Sequence, residues 1–260
     1  MDFSFLTYNT LYNNGLENIK TIIEKYRPDI VCLQEVRMDE DNLDSLNKYG
    51  YRLADYGNAF MRLGVMYGIA TFYNKNVFQF KDSSKINKGY NVLNLFFVFL
   101  SFLLGYGRQK TFLEVDLTHK KTNKKVSICN THLFVIGSNA LRVNHIDHVL
   151  KTLNIASKGS FVMAGDFNYL PYQRSKLEKV TKKYHLKEAT RDLSQTIKFS
   201  SGGIFESFGL FQKLSLRIVD VLVKNLKIDY IFYKGLRLKK TERIEVRFSD
   251  HFPIISTFTV

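Results

Sequence analysis

The amino-acid sequence predicts an α/β fold in which two packed sheets are flanked by helices, as a single domain over residues 1–260. Three observations lead to this prediction. The chain has 260 residues and is 45% apolar, which is enough for one large core. It opens with a strand, a helix and a second strand. Its middle is rich in runs typical of antiparallel strands, and its tail returns to strands.

The opening of the chain is the clearest part of this pattern. Phe3 to Tyr8 predicts the first strand. Apolar side chains then recur at helical spacing until Arg27 and Pro28, where the proline ends the helix. Ile30 to Gln34 predicts a second strand, which is expected to be buried.

Further strands and helices are predicted along the rest of the chain. The strand-like runs are 69–73, 77–81, 111–118, 126–130, 161–164, 228–233, 244–248 and 254–260. Apolar residues at helical spacing predict one helix near 146–153 and another near 177–180. Because strands from both halves are interleaved with helices, we expect two packed sheets in one layered sandwich.

The most informative motif is Gly165-Asp166-Phe167-Asn168, which follows the apolar run 161–164. By itself this motif is equally typical of a turn, because Asp and Asn bond their own backbone and Gly tolerates left-handed angles. Similar polar residues, however, end other predicted strands. They are Asn9, Glu35, His132, Asp229, Asp250 and His251. Acids and histidines at strand ends predict one shared site, since ligands reach sheets there.

The chain is also strongly basic. A formal charge of +14 and an isoelectric point near 9.6 indicate an anionic partner, which can be nucleic acid, anionic lipid or a phosphorylated substrate. No protein partner is inferred. Cys32 and Cys129 lie in apolar runs and are expected to be buried free thiols. No secretory signal is visible after Met1, so the expected location is the cytoplasm.

One segment lacks the mixture of apolar and polar residues seen in the rest of the chain. Leu93 to Leu104 is almost wholly apolar, yet it is too short to span a bilayer, which needs roughly 20 apolar residues. It is either a core segment or a segment at a membrane interface. Basic residues on both sides keep the second interpretation open, because apolar burial and attraction to anionic headgroups would act together.

Six short motifs carry a resemblance to a known family. In chain order they are Thr7-Tyr8-Asn9, Leu33-Gln34-Glu35-Val36, Asn130-Thr131-His132-Leu133, Gly165-Asp166-Phe167-Asn168, Ile228-Asp229-Tyr230 and Ser249-Asp250-His251. With these motifs the chain resembles the endonuclease/exonuclease/phosphatase superfamily, whose best-known members are similar to pancreatic deoxyribonuclease. The resemblance implies a four-layer α-β-β-α sandwich of two packed mixed sheets, with the active site at one end of the sheets.

The resemblance also implies roles in phosphoester hydrolysis. Asp166 acts on the attacking water, and Asn168 holds that water or a phosphate oxygen. Their two-residue spacing predicts that both side chains lie on one face of an extended chain. His251 contacts the phosphate while Asp229 bonds its ring, and His132 is a second imidazole that faces the phosphate.

A metal site and a phosphate site are implied in the same way. Glu35 is the first metal ligand, Asn9 supports it, and Asp250 adds a second carboxylate. The implied ion is Mg²⁺, with Mn²⁺ as the alternative. Arg108 and Arg142 are the implied phosphate-binding residues, since they fall where relatives carry basic residues that approach the phosphate or brace the site.

These residues together predict a Mg²⁺-dependent phosphodiesterase. The charge favours a nuclease that acts on DNA or RNA, and Tyr169, Tyr172 and Arg174 can stack on bases and contact phosphates unless they only pack their loop. The first alternative is a sphingomyelinase-like phospholipid phosphodiesterase that docks on an anionic membrane surface through Leu93 to Leu104 and is membrane-associated. The second is an inactive anion-binding module, although no metal or water ligand is visibly lost.

Overall fold

The computed structural model of the chain describes residues 2–62, 64–86, 111–200, 202–210, 213 and 226–260. These residues form twelve strands. The strands are β1 (Asp2–Asn9), β2 (Ile30–Arg37), β3 (Tyr51–Arg62), β4 (Val65–Asn74), β5 (Phe78–Ile86), β6 (Thr111–His119), β7 (Lys125–His132), β8 (Phe161–Asp166), β9 (Lys187–Glu188), β10 (Asp229–Lys234), β11 (Arg237–Arg243) and β12 (Ile254–Thr259).

The strands form two six-stranded sheets that pack against each other. The first sheet has the order β11-β12-β1-β2-β4-β3, and the second has the order β5-β6-β7-β8-β10-β9. Strands β1 and β2 are parallel, as are β7 and β8, whereas the strands around them pair in antiparallel fashion. The predicted sandwich of two packed mixed sheets flanked by helices is therefore confirmed.

Helices cover the outer faces of the sheets. The helices are Ile19–Tyr26, Glu40–Asp44, Asn139–Thr152 and Arg174–Lys183, and short 3-10 helices lie at Asn14–Asn18, Asn47–Tyr49, Ile155–Ser157 and Gly203–Phe205. Ile22 of the first helix shares a buried cluster with Val31 of β2, and Ile146 shares another with Met163 of β8. Val162, the neighbour of Met163, lies in the cluster between the sheets. Strand β8 is thus buried on both faces, which explains its continuous apolar sequence.

One predicted strand is wrong and three strands, β3, β9 and β11, are missed. Residues 244–248 are irregular backbone that follows β11 and leads toward the start of β12. Ile244 is buried, which accounts for the apolar side chain at this position. Its N–H donates to the Pro253 carbonyl at 2.8 Å, outside any sheet ladder. The longest missed strand is β3, where Gly57 and Asn58 interrupt the alternation of apolar and polar residues that predicts strands. Strand β11 is mostly charged and β9 has only two residues, so neither has an apolar pattern.

Arg108 and the apolar segment Leu93 to Leu104 lie outside the described residues. Among the helices that the structure does describe, none combines the length and apolar character needed to cross a membrane. Cys32 and Cys129 are buried free thiols, which confirms that prediction.

Candidate active site

Polar residues from both sheets meet at one end of the sandwich. His132 at the end of β7, Asp166 at the end of β8 and Asp229 at the start of β10 are register partners, so they lie side by side across three strands. Asn9 ends β1 of the other sheet, and its side-chain N–H donates to Asp166 Oδ2 at 3.1 Å. All four side chains are buried. The strand ends therefore build one site across the gap between the sheets.

Gly165 permits the close approach of β7 and β8 that this site requires. Its φ of 138° lies in the region that favours glycine, and a Cβ at this position would be 1.9 Å from the carbonyl oxygen of Thr131. Any side chain here would push the two strands apart and separate Asp166 from His132.

A β-bulge places Glu35. In a regular β2 strand the Glu35 side chain would point to the same face as that of Leu33, which belongs to the outer core cluster beneath the helices. The pairing of β2 with β4 instead shifts between Gln34 and Val36, and Glu35 has a φ of 57°. The bulge turns the carboxylate toward Asn9, whose side-chain N–H donates to Glu35 Oε1 at 3.2 Å. Backbone strain of this kind is typical of functional sites.

The loop after β1 is also strained. Leu11, Tyr12 and Asn13 have φ angles of 46°, 51° and 73°, a conformation that costs an L-residue roughly 1–2 kcal/mol. Hydrogen bonds hold the loop in place. The Leu11 N–H donates to Asn9 Oδ1 at 3.0 Å, and the Tyr12 N–H donates to Glu35 Oε2 at 3.1 Å. The strained loop therefore fixes the positions of Asn9 and Glu35.

Asp166 lies at the centre of the site. Its Oδ2 atom is 3.6 Å from His132 Nε2 and 3.7 Å from His251 Nε2, while Oδ1 accepts from the Asn168 N–H at 2.8 Å. Burial raises the pKa of Asp166 to about 7, although the positive charge of His251 opposes this shift. A carboxyl group that titrates near neutrality is suited to take a proton from water.

His251 is held by Asp229 and carries a positive charge. Its Nδ1 atom is 2.9 Å from Asp229 Oδ2 and 3.1 Å from Oδ1. Burial alone would lower the pKa of His251, but the charges of Asp229 and Asp250 outweigh it and hold that pKa well above its usual value. The imidazolium therefore donates to Asp229 through Nδ1 and keeps Nε2–H for another acceptor.

His132 has the opposite charge state. It is fully buried, and this burial, followed by the charge of His251, lowers the pKa of His132 to about 3. The ring is therefore neutral at pH 7. Neither ring nitrogen has a hydrogen-bond partner among the described residues. A buried imidazole without partners is not a core histidine satisfied by backbone, and it is available to a ligand.

Asn168 differs from the prediction made for it. Its φ of 47° shows that it does not continue an extended chain, so the prediction that Asp166 and Asn168 share one strand face is wrong. The side-chain N–H of Asn168 donates to the Leu133 carbonyl at 2.9 Å, and its backbone N–H donates to Asp166. These contacts tie the end of β8 to the end of β7 and fix the orientation of the Asp166 carboxylate.

Arg142 also has a different role from the predicted one. It is fully buried, and its guanidinium donates to the carbonyl oxygens of Phe134, Val135 and Gly137 and to Asn139 Oδ1, at 2.7–3.3 Å. These contacts use all five N–H groups. The structure contradicts the prediction that Arg142 binds phosphate, because this side chain braces the loop that follows His132.

The carboxylates on the Glu35 side of the site fit a divalent cation. Burial and the charge of Asp250 raise the pKa of Glu35 to about 7, and burial also raises the pKa of Asp250. Asp250 Oδ1 is buried and has no hydrogen-bond partner among the described residues. Asp166, Asp229 and His251 also offer ligand atoms within 4.8 Å of one another. Since Asp229 is committed to the protonated His251, however, these two residues are better described as a hydrogen-bonded ion pair beside Asp166.

Several supporting polar residues were not predicted. Gln34 Nε2 donates to Asn130 Oδ1 at 2.8 Å and so joins the two sheets beneath the site. Ser249 Oγ donates to the Asn9 carbonyl at 2.7 Å and accepts from the His251 N–H at 3.1 Å. A polar side chain within an apolar run was a usable signal for Gln34 and Asn130. Ser249 belongs to the Ser249-Asp250-His251 motif, but its bond to the Asn9 carbonyl is a tertiary contact that the motif does not predict.

The residues predicted to stack on bases or contact phosphates, Tyr169, Tyr172 and Arg174, lie in three different environments. Tyr169 is fully buried and donates to the Gln173 carbonyl at 2.6 Å, so it packs its loop. Tyr172 is 47% exposed. Arg174 forms an ion pair with Glu188.

Solved structures of other proteins share this fold. The catalytic domain of human Nocturnin with a bound sulfate anion has a TM-score of 0.71 and 18% identity, over 99% of this chain and 94% of that one. TDP2 from D. rerio, complexed with a single-strand DNA product, has a TM-score of 0.69 and 14% identity, over 100% and 99% of the two chains. At these identities the likeness shows the fold.

Sequence comparisons identify the family. A Vibrio campbellii protein called UPF0294 is 26% identical over 140 residues, which are 52% of this chain and 40% of that protein. The match thus covers less than half the length of that relative. The model of the Endonuclease/Exonuclease/phosphatase family matches residues 6–251, a range that contains all six motifs. The resemblance carried by those motifs is confirmed, and the chain belongs to the Endonuclease/Exonuclease/phosphatase family.

Proposed function

We propose that this protein is a Mg²⁺-dependent phosphodiesterase that hydrolyses DNA or RNA as an endonuclease-like enzyme. The observation that carries the proposal is the environment of Asp166, a buried carboxyl group that lies between the neutral His132 and the positively charged His251. Hydrolysis of a phosphodiester requires a group that takes a proton from water and donors for the charge that develops on the phosphoryl oxygens. This site offers both within 4 Å of one carboxylate.

Asp166 is the proposed base. Hydrogen bonds from Asn9 and from the Asn168 backbone hold both of its oxygens, so the carboxylate is oriented before the substrate binds. We assign the positioning of the water or of a phosphate oxygen to the Asn168 side chain. The His251 imidazolium, oriented by Asp229, donates from Nε2 to a phosphoryl oxygen. The neutral His132 ring contributes a second donor.

Glu35, Asn9 and Asp250 are the proposed metal-binding residues. When bound, the cation neutralises charge on the phosphoryl oxygens. Mg²⁺ prefers one or two carboxylates and keeps several waters, which suits a site with Glu35 on one side and the partly exposed Asp250 on the other. Mn²⁺ accepts the same oxygen donors.

Nucleic acid is the proposed substrate because of the charge of the protein. A chain with a net charge of +14 gains affinity for a polyanion through release of condensed counterions. The likeness to TDP2 supports this choice, since that protein holds a single-strand DNA product in the same fold.

A cleavage assay tests the proposal. Purified protein is incubated with single-stranded DNA, with RNA and with sphingomyelin vesicles, each in Mg²⁺ or in EDTA. We expect cleavage of nucleic acid only with the metal, and a loss of roughly 10²–10⁴-fold in kcat for Asp166→Asn. Thermal unfolding of that variant controls for its fold. Cleavage of the vesicles alone would overturn the nucleic-acid substrate, and no cleavage of any substrate would overturn the hydrolase.

A further inference from the structure

Three aromatic rings form a cluster beside the catalytic residues. The ring centroids of Phe60 and Tyr67 are 5.5 Å apart at an interplanar angle of 22°, and Tyr12 meets both rings edge-on at 6.0 and 5.6 Å. Phe60 also lies against His132, at 6.1 Å and 71°. The cluster of Tyr12, Phe60 and Tyr67 is therefore in direct contact with a proposed catalytic imidazole.

The same cluster is tied to the proposed metal side of the site. The Tyr12 N–H donates to Glu35 Oε2 at 3.1 Å, so the ring and the carboxylate have a fixed relative position. Tyr12 is the middle residue of the three left-handed positions that begin at Leu11. Strain that persists in a loop indicates that its surroundings over-determine it, and here the result is the placement of a large aromatic ring at the edge of the site.

The cluster offers aromatic surface and a cation to solvent. Phe60 is buried, whereas Tyr12 and Tyr67 are half-buried and Arg62 is exposed. The Arg62 guanidinium carbon is 4.0 Å from the centroid of the Tyr12 ring. Phosphoester hydrolysis at Asp166 has no use for aromatic rings. Aromatic surface next to an arginine is instead the combination that binds single-stranded nucleic acid, since the rings stack on bases and the cation faces the phosphates.

We infer that the aromatic cluster is a nucleobase subsite that selects the substrate, in which a base next to the scissile phosphate stacks on the Tyr67 ring beside Tyr12, while Arg62 faces a neighbouring phosphate. This inference rests on the proposed function, because the base must be attached to the phosphodiester that the site cleaves. Continuity with His132 and Glu35 is the reason for choosing this occupant, since the cluster lies where a substituent of a bound phosphate would extend.

Abasic scanning of a single-stranded DNA oligonucleotide tests the subsite. The cleavage position is first mapped, and each flanking nucleotide is then replaced in turn by an abasic analogue. In the parent protein, we expect one position at which loss of the base lowers kcat/KM by roughly 5- to 150-fold, the effect of one stacked base. In Tyr67→Leu, the intact strand should already have the lower kcat/KM, and the abasic analogue at that position should cause no further loss.

Two further variants separate the stacking role of Tyr67 from general effects of charge and of losing a tyrosine. Arg62→Gln changes only an exposed residue and should weaken binding of every strand without changing the abasic profile. Tyr49→Leu is the matched control. Tyr49 is also a half-buried tyrosine with a cation over its ring, but it lies just before the start of β3, at the end of that strand away from Phe60. This control should retain the full abasic effect of the parent.

The outcomes separate failure of the inference from failure of the proposed function. If the parent cleaves no strand, the proposed function fails. If it cleaves the intact and all abasic strands equally, or if Tyr67→Leu keeps the full abasic effect, the nuclease assignment stands and the subsite is overturned. If vesicles of anionic lipid block cleavage by the parent but not by Tyr67→Leu, the cluster is a lipid-docking surface and the inference is overturned.

Discussion

Strands β7 and β8 have charged side chains near both of their ends, and the two ends balance these charges differently. At the end opposite the site, Lys158 Nζ is 2.5 Å from Glu114 Oε1 and 3.4 Å from Asp116 Oδ1, and it donates to Ser127 Oγ at 3.2 Å. The carboxylates raise the pKa of Lys158 in spite of its burial. This end of the sandwich supplies the counter-charges for its own cation.

At the site end the charges remain unbalanced. After Asp229 pairs with His251, the site still holds the buried carboxyl groups of Glu35 and Asp166 and the partly exposed carboxyl group of Asp250, and desolvation raises the pKa of each. Buried carboxyl groups without enough positive charge to balance them cost stability, so their presence at one end indicates a place where a cation binds. We therefore infer that the Lys158 end contributes to stability and that the Asp166 end is the active site.

The largest effect that would test this comparison is expected at His251. His251→Gln removes the positive charge while glutamine can still donate to Asp229. We expect kcat for strand cleavage to fall by roughly 10²–10⁴-fold, while circular dichroism shows that the fold is retained. An equal loss of kcat in Lys158→Met, at the opposite end, would show that the two ends are not functionally distinct.

The positions of the site residues could be predicted from the sequence because they depend on strand ends. Parallel strands that end in polar residues bring them to one sheet edge, and this rule predicts that His132 and Asp166 lie together. The bulge at Glu35 and the left-handed Asn168 could not be predicted, since both depend on contacts with other strands. The role of Arg142 depends in the same way on a loop conformation that local sequence does not determine.

The strands of the fold, too, could be predicted only where they do not depend on contacts with other strands. The apolar runs of β1, β2 and β8 are buried, and their continuous apolar sequence was enough to predict these three strands. Strand β3 is interrupted by two register shifts, at Leu53/Asp55 and at Asn58/Phe60, and these shifts break the period-two pattern. The aromatic residue that β3 contributes to the site, Phe60, was missed with it.

A smaller effect, on stability, is expected at the opposite end. Lys158→Met leaves Glu114 without its ion pair, and we expect the free energy of unfolding to fall by about 2 kcal/mol, since one fifth of the lysine side chain is exposed and water screens part of the interaction. Urea denaturation measures this change. The exposed Lys176→Met should change the free energy by less than about 0.5 kcal/mol. Equal effects of the two substitutions would contradict the structural role of Lys158.

The pH dependence of stability tests the imbalance at the site end. Because the pKa of Glu35 is raised to about 7, the metal-free folded protein holds a proton that the unfolded chain releases near its ordinary pKa of 4.5. Stability from this group is therefore lost as pH rises from about 4.5 to 7 and is constant above that range. In EDTA, Glu35→Gln should gain roughly 1–2 kcal/mol relative to the parent between pH 5 and pH 8. Parallel pH profiles from urea denaturation would contradict the raised pKa.

The smallest effect concerns backbone strain away from the site. Arg27 is exposed, has a φ of 44° and ends the helix Ile19–Tyr26. Arg27→Gly removes this strain and should raise the free energy of unfolding by roughly 0.5–1 kcal/mol without changing kcat/KM. Leu11→Gly also relieves strain, but it loosens the loop that fixes Glu35, and we expect kcat/KM to fall by about 2- to 10-fold. Unchanged kcat/KM in Leu11→Gly would show that the strained loop has no part in the site.

The assignment of a metal-dependent phosphodiesterase site is tested by the dependence of strand cleavage on Mg²⁺ concentration, measured for the parent and for Glu35→Gln. We expect no cleavage in EDTA, a saturating rise with Mg²⁺ in the parent, and a curve shifted to concentrations at least about 10-fold higher in the variant, because one carboxylate ligand is lost. Full activity in EDTA, or identical curves for the two proteins, would contradict the assignment of the unbalanced end as a metal-dependent phosphodiesterase site.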